Sequence, residues 1–260
     1  MIESIKNIEM KLKNLPLDEI PEAILAYRDD ERASVQKLLN SYLKKKEKLD
    51  AERARMEKMF LYERQYADYK AICGIDEVGR GPLAGPVTAC AVILPKDCKL
   101  LYLNDSKQLT AAKREELYDE ILAEAVGVGI GTVGPDVIDE INILQATYQA
   151  MRIAVGSLPV QPDLLLNDAV TIPGLPMRQV PIIKGDAKSA SIAAASIVAK
   201  VTRDRLMCEY DKQYPGYDFA GNKGYGSAAH IAALKEIGPC PIHRRSFITH
   251  FVEEDVDAAE

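Results

Sequence analysis

The first 69 residues contain no glycine and only two prolines, Pro16 and Pro21. They carry fourteen acidic and fourteen basic residues, a helix-permissive composition with little to bury in a sheet. Ile5, Ile8, Met10 to Leu12 and Leu15 recur at helical spacing, and Ser34 to Leu43 opens a second amphipathic run leading into a very charged third segment. The spacing predicts a small all-helical extension, a hairpin or bundle, over residues 1–69. At Ala71 the chain turns abruptly apolar and then glycine-rich, which sets the boundary near residue 70.

Beyond that boundary the period changes. Ala71–Asp76 and Pro86–Leu94 read as strands joined by a tight Gly/Pro segment, and Val126–Val133, Asp163–Asp168 and Gln179–Ile183 as three more. Lys113–Glu124, Asp136–Leu158 and Ser189–Tyr214 read as helices, the last rich in alanine. Strands first and alternation afterwards predict an α/β domain over residues 70–260, a mixed sheet flanked by helices with a helical C-terminal region.

With 47% hydrophobic and 28% charged residues, the composition excludes a disordered, collagenous or disulfide-scaffold chain. No apolar run reaches the roughly 20 residues of a membrane span, and the N-terminus lacks a signal-peptide core, so a cytoplasmic protein without a membrane partner is expected. Cys73, Cys90, Cys98, Cys208 and Cys240 are scattered, without the spacing of a zinc site or a disulfide framework. The formal net charge is −6, but unevenly spread. Residues 181–250 hold ten Lys/Arg against six Asp/Glu, residues 70–180 fourteen acids against nine bases, and the tail adds five acids. A basic stretch beside an acid-rich one suits an enzyme holding cations against a polyanion.

Asp76 and Glu77 close an apolar strand, where two carboxylates are costly unless water, hydrogen bonds or a cation compensates them. Adjacent strand residues point to opposite faces, so both serve one site only if the strand ends between them; Val78 to Pro82 supplies such an ending. Asp168 repeats the pattern after Leu164–Leu166, and Asp186 follows Ile182 and Ile183. Asp105 reads as a loop residue. Oxygen-only ligation favours Mg²⁺ or Mn²⁺, in a two-metal site, over zinc.

The run Gly74-Ile75-Asp76-Glu77-Val78-Gly79-Arg80-Gly81-Pro82-Leu83-Ala84-Gly85-Pro86-Val87 resembles the signature of bacterial ribonuclease HII. Further matches follow in order: Leu103 to Lys107, Lys184 to Asp186, Ser191 to Asp204, Tyr214 to Tyr217, Lys223 to Gly226 and Pro241 to Phe247. The resemblance covers about residues 70–250 and implies a ribonuclease H-like fold. It also implies an endonuclease that cuts the RNA strand of RNA–DNA hybrids and acts on single ribonucleotides embedded in duplex DNA. The family's metal-binding carboxylates fall on Asp76, Glu77, Asp168 and Asp186. One departure is Asn167, polar where the family has an apolar residue, which questions the local strand register.

A ribonucleotide within DNA differs from its neighbours by one hydroxyl, which must be hydrogen-bonded to be recognised. The resemblance assigns this contact to Gly79, Arg80 and Gly81, where the main chain can approach a sugar closely. It assigns to Tyr225 packing against the nucleotide after the ribonucleotide. Lys107 is a candidate phosphate contact, and His243 to Arg245 either touch nucleic acid or brace the fold. Alternatives are a junction resolvase of the same fold and a non-catalytic nucleic-acid-binding module; four intact carboxylates argue against the latter.

Overall fold

The computed structural model describes residues 3–252, so the acidic run Glu253–Glu260 lies outside the described residues. Two compact units meet in sequence at Lys58 and Met59. The first comprises α1 (Ile5–Lys13), α2 (Ile20–Leu25) and α3 (Ala33–Met59), whose last residue enters the second unit. Ser4 caps α1 by accepting from the Asn7 N–H at 3.3 Å. Ile8, Leu12, Ile20, Val35, Leu39 and Tyr42 form the unit's core, with one apolar stripe drawn from each helix. The second amphipathic run and the charged segment after it are one 27-residue helix, because nothing between them breaks helical backbone.

The second unit begins with a short α4 (Leu61–Gln65) and continues through β1 (Ile72–Val78), β2 (Val87–Ile93), α5 (Ala111–Glu124), β3 (Gly127–Val133), α6 (Pro135–Gly156), β4 (Leu164–Asp168), β5 (Arg178–Ile182) and α7 (Ala190–Gln213). It closes with α8 (Phe219–Asn222), α9 (Ala228–Ile237) and α10 (Arg245–Ile248). The five strands form one mixed sheet in the order β3-β2-β1-β4-β5. The first three are antiparallel neighbours, whereas β4 and β5 run parallel to β1 and to each other.

Alternation along the strands divides the two faces. Cys73, Ile75, Ala89, Ala91 and Leu165 pack with Ala146, Ala150, Met151 and Ala154 of α6. On the other face Leu164, Leu166 and Ile182 meet Ile192 of α7, edged by Tyr62, Tyr66 and Tyr69. α7 lies almost against the sheet: a Cβ at Gly74 would sit 2.1 Å from the carbonyl carbon of Ser191. The small residues of α7 therefore serve close packing.

Two local expectations change. α6 is broken at Asn142, which takes φ 66°, and its side chain caps the following turn by accepting from the N–H groups of Leu144 and Gln145. Asn167 leaves the β4 register intact, pairing with Ile75 and Pro181. Fully buried, it donates to Gln179 Oε1 at 2.8 Å and to the Val170 carbonyl at 3.1 Å.

Candidate active site

The parallel trio β1, β4 and β5 ends at one edge of the sheet, and the acids of the sequence pattern gather there. Asp76 lies on the α7 face of β1, 7% exposed, with Oδ1 accepting from the Glu77 N–H at 2.8 Å. Glu77, next along as β1 ends, reaches Arg80 at 3.4 Å through Oε1, while its buried Oε2 has no hydrogen-bond partner. Asp168 ends β4, and its Oδ1 accepts from the Gly185 N–H at 2.7 Å. This bond ties the β4 terminus to the turn, opened by left-handed Lys184, that carries Asp186. The four carboxylates thus occupy three neighbouring strand ends.

Their electrostatics are those of crowded anions short of positive charge. Burial pushes the Asp76 carboxyl well above its ordinary range, and Glu77 and then Asp168 push it further. Burial likewise raises Glu77, with Arg80 opposing and Asp168 adding. Asp186 is raised by burial, then by Asp105 and Asp168, against a small lowering by Lys107. Among the described residues no three His, Cys, Asp or Glu side chains are drawn together into a closed cage for a metal ion. The donor chemistry nevertheless fits hard divalent cations: all oxygen, under-neutralised, with a buried carboxylate oxygen at Glu77 lacking any donor.

Beside the acids runs the turn Gly79–Gly81. Gly79 takes φ +89°, and a Cβ there would meet the Arg203 side chain at 2.3 Å and the Pro86 carbonyl at 2.7 Å, so only glycine fits. Two buried arginines hold the turn from beneath. Arg244 donates to the carbonyls of Gly79, Arg80 and Gly85, and Arg203 to those of Ala84, Pro86 and Lys223. Both are fully buried, bound to backbone oxygens alone; burial lowers Arg203 to about 10 and, with repulsion from Arg203, Arg244 to about 9. With the Gly79 and Arg80 carbonyls engaged inward, the N–H groups of Gly79, Arg80 and Gly81 bond to none of the described residues. The Tyr225 ring, 44% exposed, lies across from Gly81, whose Cβ position is 3.8 Å from Tyr225 Cε1. Lys107 is exposed, close enough to influence Asp186.

The family model for ribonuclease HII matches residues 73–250, and that for the ribonuclease HII N-terminal domain matches residues 4–67. The chain belongs to the ribonuclease HII family. Ribonuclease HII of Lachnoclostridium phytofermentans is 69% identical over 85% of this chain and 87% of its own length. The Acetivibrio thermocellus protein is 51% identical over 96% and 98%. The crystal structure of ribonuclease H2 from Pyrococcus horikoshii, 29% identical, superposes with a TM-score of 0.56 over 68% of this chain and 93% of that one. As a member of this family the chain is a hydrolase, an endoribonuclease acting on RNA–DNA hybrids, and the family is metal-dependent.

Other residues gain a place at this ribonuclease HII site only through the structure. Ser196 of α7 lies close enough to Asp76 to lower that carboxyl's pKa against its burial, and its hydroxyl donates to the Ser106 hydroxyl at 2.9 Å. In sequence it is one small residue in an alanine-rich run. Asp105, read as a loop acid, does turn the loop by accepting from the Lys107 N–H, yet also lies close enough to raise Asp186. Asp204 pairs with Lys200 at 2.7 Å and is no part of the cluster.

Proposed function

We propose that the enzyme cuts the RNA strand of hybrids, and also the phosphodiester on the 5′ side of a single ribonucleotide in duplex DNA, leaving a 5′-phosphate and a 3′-hydroxyl. Asp76, Glu77, Asp168 and Asp186 would hold two divalent ions, Mg²⁺ or Mn²⁺. Bound there, the ions supply the charge that activates a water for in-line attack and stabilises the departing 3′ oxygen. Glu77, with its unpartnered Oε2, is the acid best disposed to take up a cation. The Glu77 N–H holds Asp76, and the Gly185 N–H holds Asp168, leaving their remaining lone pairs for ligation.

The carrying observation is the adjacency of this under-neutralised cluster to a turn whose Gly79 and Arg80 carbonyls are engaged and whose N–H groups bond to none of the described residues. Gly79, Arg80 and Gly81 would offer those N–H groups to the 2′-hydroxyl and its neighbouring phosphate. Tyr225, facing Gly81, would pack on the sugar beyond the ribonucleotide, and Lys107 would contact a backbone phosphate. No described helix is long and apolar enough to cross a membrane, and the five cysteines are free thiols, which supports placing the enzyme in a reducing compartment such as the cytoplasm.

The test compares cleavage of a single-ribonucleotide duplex, a uniform hybrid and a four-way DNA junction, each with Mg²⁺, Mn²⁺ or chelator. Cleavage of the first two with either ion, none with chelator and none at the junction is the expected outcome. Junction cutting, or cleavage surviving chelation, would refute the reading.

A further inference from the structure

His230 of α9 and His243, just before α10, are both buried, their Nε2 atoms 2.9 Å apart. The main chain dictates the direction of this hydrogen bond. The Cys240 N–H, which can only donate, points at His243 Nδ1 from 2.9 Å, nearer than the Cys240 Sγ at 3.2 Å and the Cys240 carbonyl at 3.3 Å, so that nitrogen is the acceptor and the ring proton sits on Nε2. His243 Nε2–H then donates to His230 Nε2, which leaves the His230 proton on Nδ1. His230 Nδ1 lies 2.8 Å from the Tyr225 carbonyl, which can only accept. A one-way chain thus runs from the Cys240 N–H through two neutral imidazoles to the main chain of Tyr225.

The surroundings keep the pair neutral and fixed. Tyr217 packs edge-on to His243 at 4.9 Å and Phe219 edge-on to His230 at 5.3 Å. Burial lowers both rings, His243 to about 4, with repulsion from His230 and a smaller effect of Arg245 adding at His243. The Tyr225 segment is pinned on its other sides too: the Tyr225 carbonyl also accepts from the Ser227 N–H, and the Gly224 carbonyl accepts from Leu83 and Ala84 beside the Gly79–Gly81 turn. The Tyr225 ring is half exposed and makes no hydrogen bond with the described residues, so where it starts from relative to the turn depends on how its backbone is held.

We propose that His230 and His243 are positioning residues, a hydrogen-bond relay that sets the Tyr225 ring against the Gly79–Gly81 turn and thereby sets the preference for a single embedded ribonucleotide over a uniform hybrid. The inference rests on the reading of Tyr225 as the contact beyond the ribonucleotide. The relay touches no substrate; it acts through the Tyr225 carbonyl.

Two amide substitutions separate this role from mere packing. In His230→Asn the amide nitrogen takes the place of Nδ1 and still donates to Tyr225; in His230→Gln the amide reaches the Nε2 position and meets His243 instead. The quantity read is the ratio of kcat/KM on a single-ribonucleotide duplex to kcat/KM on a uniform hybrid, alongside thermal unfolding, in the full-length enzyme. His230→Gln should lower the ratio about tenfold and His230→Asn by no more than about twofold. In a Tyr225→Ala background, His230→Gln should leave the ratio unchanged. Should His230→Gln not fold, His243→Asn takes its place with the same expectation, since it accepts from Cys240 but offers His230 no donor. If Tyr225→Ala shifts the ratio while the relay variants do not, or if the Asn and Gln variants move it equally, the relay is overturned and the Tyr225 reading stands. If Tyr225→Ala itself leaves the ratio unchanged, the Tyr225 reading falls and takes the relay with it.

Discussion

Two clusters of buried polar side chains lie side by side in this enzyme and are built on opposite terms. At the strand ends, Asp76, Glu77, Asp168 and Asp186 crowd one sign of charge together, and a Glu77 oxygen is left without a partner. Beneath the Gly79–Gly81 turn, Arg203 and Arg244 are as deeply buried, yet each spends its donors on three backbone carbonyls. The satisfied cluster fixes a shape; the unsatisfied one is where we propose that cations bind. Removing a charge should therefore have opposite consequences in the two places.

The largest effect is expected at Asp76. Asp76→Asn keeps shape and removes charge, so cleavage should fall about a thousandfold or more, roughly 4 kcal/mol of barrier, while hybrid binding persists. The same variant should unfold at a higher temperature than the parent in chelator, because a buried like-charge repulsion is relieved. Retention of more than about a tenth of the activity would break the comparison on its carboxylate side.

Arg244→Met tests the other side. It strands the carbonyls of Gly79, Arg80 and Gly85, which should cost about 3 kcal/mol or more of stability, on the order of a hundredfold in the folding equilibrium. Denaturant unfolding measures it; a variant as stable as the parent would show that the guanidinium is not the brace.

Tyr225→Ala comes next in size. A contact of this kind is worth roughly 1–3 kcal/mol, so a ten- to hundredfold loss on a single-ribonucleotide duplex is expected, with little change in melting temperature for a half-exposed ring. A large stability loss with unchanged substrate preference would instead make it a core tyrosine.

Glu63 of α4 offers the smallest contrast, a half-buried carboxylate used as scaffold although its Oε2, like that of Glu77, has no hydrogen-bond partner. It accepts from the Ser189 hydroxyl at 2.6 Å and the Ser191 N–H at 2.9 Å, capping α7, where the helix dipole favours its charge. Fragment 59–260 should keep the parent's hybrid cleavage, whereas fragment 70–260, lacking this cap and Tyr62, Tyr66 and Tyr69, should melt about 2–8 °C below it. Equal melting temperatures for the two fragments would place the structural boundary near residue 70 after all.

What the sequence by itself determined is local in origin. Apolar runs ending in acids marked the strand ends and the four candidate carboxylates, because a carboxylate closing a buried strand stands out against its immediate neighbours. The glycine-free stretch marked the helical unit, and the Gly79-Arg80-Gly81 turn was legible because its tight path requires glycine at Gly79. The tertiary structure alone decided the rest. Arg203, His230 and Ser196 look like ordinary helix or surface residues in sequence, since their partners are distant main-chain groups or a side chain on another element, and for Arg244 the sequence left nucleic-acid contact and bracing both open until three carbonyl partners made it a brace. A backbone carbonyl is the same at every position and leaves no mark in the sequence to say which arginine or histidine will find it. The continuity of α3 and the break at Asn142 escaped for a related reason: one needed no residue to announce it, and the other is a left-handed asparagine within a run that is otherwise helical.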